Sequence, residues 1–267
     1  MKSFILADGR LLSYRDLGNG PPLIMLHGWT MSSLVFSEVA QQLADDFRVL
    51  IPDLRGHGAS APGDGYALAD FVADLRQWIA GLGLERCSLL GWSLGGQVAC
   101  ELCSLPQGPV ERLVLIATTP RFANGDGWEG GLPTAQVKAM GRNIRRAYAK
   151  TMEEFFHLQF AGEALPRERL RAIAQFAVRP AKLPASEVAL AALETLTGAD
   201  QRAQLAQIKV PTLIVHGSSD PIVPIAAGRY LATQLPHADL VTLPGIGHAP
   251  FLSRPEEMLT LWREFLS

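Results

Sequence analysis

The sequence predicts an α/β fold in which a mainly parallel sheet is flanked by helices and carries a helical insertion. Three features of the sequence lead to this prediction. Short apolar runs bounded by turn residues alternate with helical patterns along most of the chain. The runs are apolar on both faces, which is typical of strands buried in a parallel sheet. The alternation stops between about 121 and 195, where only helical patterns occur.

The predicted strands follow one another between turn signals. The first run comes after Asp8-Gly9, a hairpin signal, and the second comes after Gly20-Pro21-Pro22. Later runs lead into turn residues such as those at 52–53 and 216–217. The seven predicted strands are 11–14, 23–26, 48–51, 87–90, 113–117, 212–215 and 240–243.

Helical patterns lie between these strands. Phe71, Leu75 and Trp78, for example, recur at the spacing of one buried helix face. Such strand–helix alternation predicts parallel strands joined by crossovers of the usual hand. The helices predicted around the sheet are 34–45, 68–82, 95–104, 224–235 and 255–266.

The stretch at 121–195 is predicted to be an insertion on the sheet. It opens with glycines and a proline and then contains helical segments near 135–160, 166–178 and 185–197. A helical cap over an active site at the strand ends is one explanation, and a decorative insertion is the alternative. The predicted division is a core of 1–120 and 196–267 and a cap of 121–195.

The composition is typical of a soluble globular protein and argues against several other classes. Of 267 residues, 48% are hydrophobic and 19% are charged, with a formal net charge of −2. This balance argues against intrinsic disorder and, because no basic excess exists, against a nucleic-acid binder. No run approaches the roughly 18 apolar residues of a membrane span, and the apolar run at 4–7 is too short for a signal peptide. We therefore expect a cytoplasmic protein and, by default, a monomer.

A serine motif is the strongest chemical signal in the sequence. Gly91-Trp92-Ser93-Leu94-Gly95 fits the pattern G-x-S-x-G, directly after a predicted strand and before a predicted helix. The glycines leave room for a sharp turn that raises Ser93 above the sheet. The dipole of the following helix favours developing negative charge there. We predict that Ser93 is a nucleophile.

The serine needs a base to activate it, and the base needs a group to orient it. After a nucleophile on such a turn, the carboxylate comes next in the chain and the histidine follows. Asp220 and His248 come in this order, each just after a predicted strand. Asp200 fits less well because it precedes its strand. The remaining histidines also fit the order or the strand ends less well: His27, His57, His157, His216 and His237.

Acyl transfer also needs donors for the negative oxygen of a tetrahedral intermediate. One predicted donor is the main-chain N–H of Leu94, the residue after the nucleophile. The second is the N–H of Trp29, in the loop that follows the strand at 23–26. The indole of Trp29 either lines the acyl site or only packs against its neighbours.

Other motifs are assigned no chemistry. The loop at 53–60 is predicted to hold its neighbours in place through its glycines and charges. Cys100 and Cys103 form a C-x-x-C inside a predicted helix, which favours small buried residues over a redox pair. The sequence has no P-loop, no Rossmann-type G-x-G-x-x-G directly after a predicted strand and no H-E-x-x-H, so neither a nucleotide nor a metal cofactor is indicated.

Together, these motifs resemble the α/β-hydrolase superfamily over nearly the whole chain. They are Leu26-His27-Gly28-Trp29, the loop at 53–60, the serine motif, Asp220-Pro221 and Gly247-His248. A narrower resemblance is to the pimeloyl-[acyl-carrier protein] methyl ester esterases of biotin synthesis. The narrower resemblance rests on Trp92 before the serine, on His248-Ala249-Pro250-Phe251 and on Phe155-Phe156-His157-Leu158-Gln159.

The narrower resemblance implies a reaction and a set of contacts. Ser93 would attack a methyl ester carbonyl, methanol would leave, and water would hydrolyse the acyl-enzyme. The cap would line the acyl channel and dock the acidic acyl-carrier protein. The implied substrate contacts are Trp29, Ser93, Leu94, His248 and, along the channel, Phe155, Phe156, His157, Leu158 and Gln159.

The charge of the insertion is consistent with such docking. Between 138 and 171 there are eight basic and four acidic residues, a local charge of +4. Helical spacing places four of the basic residues on one face, and a basic face steers an acidic partner. An ordinary solvated face is the alternative. The predicted docking residues are these four, Arg142, Arg145, Arg146 and Lys150, together with Arg167 and Arg171.

Two other functions stay open at this point. The same triad with a different cap serves a promiscuous hydrolase of small esters or lactones, or a carbon–carbon bond hydrolase. A non-catalytic binding protein on the same scaffold is the third hypothesis, since a fold does not fix a function.

Overall fold

The computed structural model describes residues 1–178 and 183–267. The strands of the described residues are β1 (Lys2–Ile5), β2 (Leu11–Leu17), β3 (Pro22–Leu26), β4 (Arg48–Pro52), β5 (Cys87–Trp92), β6 (Val110–Ile116), β7 (Thr212–Gly217) and β8 (Ala238–Leu243). They form one sheet in the order β1-β2-β4-β3-β5-β6-β7-β8. The β1–β2 and β2–β4 pairings are antiparallel, and the other pairings are parallel.

Helices cover both faces of this sheet. Around it lie α1 (Ser37–Leu43), α2 (Leu68–Gly81), α3 (Leu94–Ser104), α7 (Ile225–Gln234), α8 (Pro250–Ser253) and α9 (Pro255–Leu266). Between β6 and β7 lie α4 (Thr134–Leu158), α5 (Arg167–Ile173) and α6 (Ser186–Gly198). The predicted fold class, a mainly parallel sheet flanked by helices, is confirmed.

The strands alternate between two apolar cores. On β3, Ile24 and Leu26 join the core on one face of the sheet, whereas Leu23 and Met25 join the core on the other. All four side chains are fully buried. Because successive strand side chains point to opposite faces, a strand buried on both faces must be apolar at every position. This is why continuous apolar runs predicted the parallel strands.

One strand was not predicted. β1 is an edge strand paired only with β2, and its Lys2, Ser3 and Ile5 are exposed. Only Phe4 and Ile5 of this strand belong to the short apolar run at 4–7, so the strand has no continuous apolar run of its own to reveal it. The predicted helix at 34–45 also differs, because the chain first makes a 3-10 turn at Ser33–Phe36 and only then enters α1.

The described part of the 121–195 stretch contributes no strand to the sheet. It contains α4, α5, a π-helical turn at Ala174–Val178 and most of α6. The part of the predicted cap at 179–182 lies outside the described residues. The division into core and cap stays a prediction.

Helix α4 is kinked, which changes one expectation. Ala147 has φ −154° and ψ 63°, far from helical values. Arg142, Arg145 and Arg146 therefore lie on the first segment, and Lys150 lies on the second. The expectation that all four share one continuous helix face is wrong, because the helical repeat is interrupted between them.

Two further findings concern membrane spans and cysteines. The described part of the chain contains no helix with the length and apolar character needed to cross a membrane. The three cysteines are free thiols, and burial raises the pKa of Cys87 and Cys100 to about 12. Burial raises the pKa of Cys103 as well. A thiol that stays protonated is a poor nucleophile, so a redox pair at 100 and 103 is disfavoured.

Candidate active site

The predicted site residues lie at one edge of the sheet. Trp29 follows β3, Ser93 follows β5, Asp220 follows β7 and His248 follows β8. These four strands run parallel, so their carboxyl ends lie at the same edge. In open α/β sheets, this edge is where ligands bind.

Ser93 occupies a strained turn between β5 and α3. Its φ of 55° and ψ of −116° place a non-glycine residue in a sparsely populated region. Two hydrogen bonds to its main-chain N–H and carbonyl groups hold it there. The Ser93 N–H donates to the Ile116 carbonyl at 3.0 Å, and the Thr118 hydroxyl donates to the Ser93 carbonyl at 2.8 Å. The surrounding structure thus offsets the cost of the strained backbone.

The glycines of the serine motif make room for this turn. A β-carbon on Gly95 would run into the Leu26 carbonyl oxygen, and one on Gly96 would lie 2.6 Å from the Thr118 side chain. The start of α3 therefore packs directly on the backbone of β3 and on the segment after β6. Larger residues at these positions would push the helix away from the serine.

His248 and Asp220 form a buried hydrogen-bonded pair. His248 Nδ1 lies 2.7 Å from Asp220 Oδ2, and the two side chains are 1% and 0% exposed. The other carboxylate oxygen, Oδ1, accepts the N–H groups of Ile222 at 2.8 Å and Val223 at 2.9 Å. These bonds fix the carboxylate, which in turn holds a proton on Nδ1 and leaves Nε2 to accept one.

Trp92 connects the serine turn with the histidine. Its indole N–H donates to the His248 carbonyl at 2.9 Å, and the two ring centroids are 5.5 Å apart. Within the described residues, Ser93 Oγ makes no hydrogen bond to His248 Nε2. Such bonds often tighten only when substrate binds. Trp92, the residue next to Ser93, thus supports His248, a role that its position in the motif did not reveal.

Two main-chain N–H groups lie beside the serine. Leu94 begins α3, so its N–H has no acceptor inside the helix. The Trp29 N–H makes no hydrogen bond within the described residues. A β-carbon on Gly28 would lie 3.3 Å from Ser93 Cβ, so the loop after β3 passes close to the serine. This arrangement can bind a negative oxygen.

Comparison with known proteins identifies the family of this chain. The model of the α/β hydrolase fold family matches residues 21–255. The chain belongs to this family. The superfamily resemblance predicted from the motifs is confirmed.

Two relatives of the hydrolase are named pimeloyl-[acyl-carrier protein] methyl ester esterase. The protein from Nitrosomonas europaea is 37% identical over 243 residues, which cover 91% of this chain and 94% of that protein. The protein from Chromobacterium violaceum is 38% identical over 258 residues, covering 96% and 98%.

Solved structures resemble the hydrolase along its whole length. An esterase from Exiguobacterium antarcticum has a TM-score of 0.91 and 27% identity, with 99% of each chain covered. An enol-lactonase from Burkholderia xenovorans has a TM-score of 0.86 and 23% identity, also with 99% of each chain covered. At that lower identity, the likeness shows the fold alone.

The predicted channel residues of the hydrolase do not all face one space. Phe156 and His157 line a cavity of about 420 Å³ together with Thr30, Met31, Leu170 and Arg171. Phe155 instead packs edge-on against Trp29, with ring centroids 4.9 Å apart. Leu158 is exposed.

Gln159, the last of these residues, is fully buried, and neither amide atom of its side chain has a hydrogen-bond partner within the described residues. The cavity that Phe156 and His157 line is mostly apolar and reaches Thr30 and Met31 in the loop after β3.

The Trp29 indole contacts the insertion. Its N–H donates to the Ala189 carbonyl of α6 at 2.9 Å, and its ring packs on Phe155 of α4. Of the two roles left open by the sequence, packing is therefore observed. A wall of the acyl site formed by the same ring stays a prediction.

The residues that fitted the catalytic pattern less well are either exposed or are buried histidines with a lowered pKa. Asp200 is exposed and is paired with Arg202, whose hydrogen bond lowers the pKa of that carboxyl to about 2. His157 and His237 are exposed. Burial lowers the pKa of His27 to about 4 and that of His57 to about 3. The ring of His27 accepts the Leu54 N–H at 2.9 Å, which ties two loops together.

His216 is the exception among these histidines. It is fully buried, and its Nε2 lies 2.8 Å from the Val223 carbonyl and 3.6 Å from the Asp220 carboxylate. Burial lowers the pKa of His216. A neutral His216 therefore packs beside Asp220 and does not replace His248 as its hydrogen-bond partner.

The predicted docking residues are exposed, and two of them have acidic neighbours. Arg145 lies 4.0 Å from Glu194, and Lys150 lies 3.7 Å from Glu154. Such exposed pairs contribute little to stability, so these residues stay available to a partner. Arg171 differs because it also lines the 420 Å³ cavity. Within the ranges described, no three His, Cys, Asp or Glu side chains are grouped as a metal ion would require.

Proposed function

We propose that this hydrolase cleaves the methyl ester of pimeloyl-[acyl-carrier protein], releasing methanol and the free carboxylate in biotin synthesis. The observation that carries the chemistry is the buried His248–Asp220 pair at the same sheet edge as a serine on a strained turn. The names of relatives at 37% and 38% identity over nearly the whole chain support the substrate. No cofactor takes part in the reaction.

The reaction begins with Ser93. His248 Nε2 takes the hydroxyl proton as Ser93 Oγ attacks the ester carbonyl carbon. The negative oxygen of the tetrahedral intermediate accepts the N–H groups of Trp29 and Leu94. His248 then gives its proton to the methoxy oxygen, methanol leaves, and an acyl-enzyme remains.

A water molecule completes the cycle. His248 removes its proton as the water oxygen attacks the acyl carbonyl. The second tetrahedral intermediate then collapses, the bond to Ser93 Oγ breaks, His248 gives its proton to Oγ, and the free carboxylic acid is released. Asp220 keeps its charge throughout and stabilises the protonated ring of His248. We place the pimeloyl chain in the apolar cavity, whose lining includes Met31, Phe156 and Arg171, and the carrier protein outside it.

We place the reaction in the cytoplasm and expect the enzyme to act as a monomer. Three free thiols and no disulfide are in keeping with a reducing compartment. The partners are the acyl-carrier protein and small esters, with no role for nucleic acid or membrane.

The proposal is tested by comparing two substrates. We expect kcat/KM for pimeloyl-[acyl-carrier protein] methyl ester to exceed that for a short p-nitrophenyl ester by about 100-fold, because the carrier and the chain add contacts that the short ester lacks. Methanol release and ester hydrolysis are measured in parallel, with Ser93→Ala as the control. The reverse preference would favour a general esterase of small esters or lactones, for which the likeness to the Exiguobacterium esterase is the supporting observation.

Carrier docking gives a second prediction. Replacing Lys150, Arg167 and Arg171 together by glutamine is expected to raise KM for the carrier substrate about tenfold, since each exposed charge contributes modestly. The short ester should be affected several times less. The same change at Arg142, Arg145 and Arg146, before the kink and away from the cavity, should have a smaller effect.

The control is Arg86→Gln, an exposed arginine near the amino end of β5 and so at the opposite edge of the sheet. KM for the carrier substrate should also rise with salt in the unaltered enzyme, and less so in the triple variant. Equal effects of the triple variant on both substrates would rule out docking at this surface.

A further inference from the structure

The loop that carries His248 is bound to the insertion immediately before and at the histidine. The Gly247 N–H donates to Glu163 Oε1 at 2.8 Å. The His248 N–H donates to the Gln159 carbonyl at 2.8 Å. Two successive main-chain N–H groups of the histidine loop thus donate to acceptors in the insertion and not to the sheet.

The close fit of Gly247 strengthens this contact. A β-carbon at Gly247 would lie 2.9 Å from Glu163 Oε1 and would run into the Gln159 carbonyl oxygen. The loop and the insertion therefore meet backbone to backbone. Such a contact leaves little freedom for the loop to shift while the insertion stays in place.

A second connection follows the histidine. Arg169 of α5 donates from Nε at 2.9 Å and from Nη2 at 2.6 Å to the Leu252 carbonyl of α8. The same guanidinium binds both carboxylate oxygens of Glu38 in α1. A fork that grips a carboxylate with two bonds fixes geometry better than a point charge does. The segment 247–252 is thus held at both ends by side chains of the insertion.

The core holds the histidine at other atoms. Asp220 binds the ring at Nδ1 and Trp92 binds the carbonyl of His248. Neither contact involves the main-chain N–H groups of Gly247 and His248, which donate instead to residues of the insertion. The position of Nε2 relative to Ser93 therefore depends on both halves of the molecule.

We propose that Glu163 is a positioning residue for His248. Its carboxylate, acting with the Gln159 carbonyl, holds the 247–248 backbone so that Nε2 points toward Ser93. The proposal rests on the proposed function in so far as His248 is the base. Glu163 touches neither substrate nor reacting atoms in this role. The insertion then contributes to the rate of the chemical step as well as to substrate selection.

The test uses a short p-nitrophenyl ester, which does not require the carrier protein. Glu163→Ala removes the acceptor, and we expect kcat to fall about tenfold or more, because a small misplacement of a catalytic group is costly. KM should change by less than about twofold, since the acyl site keeps its walls. Glu163→Gln keeps an acceptor oxygen and should restore most of kcat. Glu168→Ala, an exposed glutamate on α5, is the matched control and should leave kcat unchanged.

Each outcome bears on the proposal. An unchanged kcat in Glu163→Ala, with hydrolysis abolished in Ser93→Ala, would overturn the positioning role and leave the proposed function intact. A second outcome is that Glu163→Ala shows a lower kcat, a higher KM and a lower melting temperature together, with no rescue by Glu163→Gln. That result would show that Glu163 has only a structural role. Hydrolysis that persists in Ser93→Ala would overturn the proposed function, and the positioning role with it. Arg169→Lys, which keeps the charge but not the fork, should lower kcat in the same way and supplies a second variant.

Discussion

Ser93→Ala is expected to lower kcat for ester hydrolysis by about 10⁵-fold or more, the size of loss seen when a nucleophile of this kind is removed. Alanine cannot form the acyl-enzyme, and the remaining N–H donors stabilise only the slow attack of water. The main-chain bonds that hold the turn do not involve the hydroxyl, so the fold should persist. The melting temperature should stay within a few degrees of that of the unaltered protein.

The measurement is steady-state hydrolysis of a p-nitrophenyl ester beside a thermal melt of each variant. Ser104→Ala, at the far end of α3, is the matched control, because among the described residues its hydroxyl bonds only the Glu101 carbonyl. Residual hydrolysis within 100-fold of the unaltered protein, in material free of host esterases, would mean that Ser93 is not the nucleophile.

Asp220→Asn is expected to lower kcat by about 10⁴-fold while leaving the fold intact. The reason lies in the two donors on Oδ1. The N–H groups of Ile222 and Val223 both point at that atom, so the amide oxygen of asparagine must occupy its position. The amide NH₂ then faces His248 Nδ1, which has to accept. The ring proton moves to Nε2, where it blocks the nitrogen that should activate Ser93.

The kinetics of Asp220→Asn should be compared with those of Asp200→Asn. Asp200 is exposed and bound to arginines, so its change should leave kcat within about twofold. The losses from Ser93→Ala and Asp220→Asn should not add in the double variant, because both disable one unit. Full additivity, or an Asp220→Asn enzyme with near-normal kcat, would contradict the assigned role of Asp220.

The strands that matter for the site were predictable because burial on both faces leaves a continuous apolar run. Ile24 and Met25 belong to opposite cores, yet both had to be apolar. β1 had no such signal along its length, since it lies at the sheet edge and only its Phe4 and Ile5 belong to the apolar run at 4–7. The kink at Ala147 also had no signal in the sequence, because alanine is the best helix former and nothing in its own side chain breaks a helix. Local preference cannot report a break that the surrounding packing imposes.

In the candidate site, too, some features could be predicted from the sequence and others could not. Ser93, Asp220 and His248 were selected from chain order and from their place after predicted strands. The contacts that hold the backbone of the His248 loop were not predicted, because they are hydrogen bonds to main-chain atoms. The Gln159 carbonyl that receives the His248 N–H is a group that every residue carries. Glu163 counted only as one negative charge among the basic residues of the insertion. Contacts of this kind follow from the folded backbone and leave no pattern in the sequence.

The attachment of the histidine loop to the insertion sets a rule for engineering new selectivity by grafting. Glu163 and Arg169 lie between α4 and the end of α5, and each holds the segment that carries His248. A donor segment from another hydrolase that replaces 159–169 would change turnover together with preference. Exchanges confined to the second segment of α4 and to α6 would reshape the walls around Phe155 and Phe156 and leave those bonds in place. Selectivity libraries for this scaffold should therefore leave residues 159–169 unchanged.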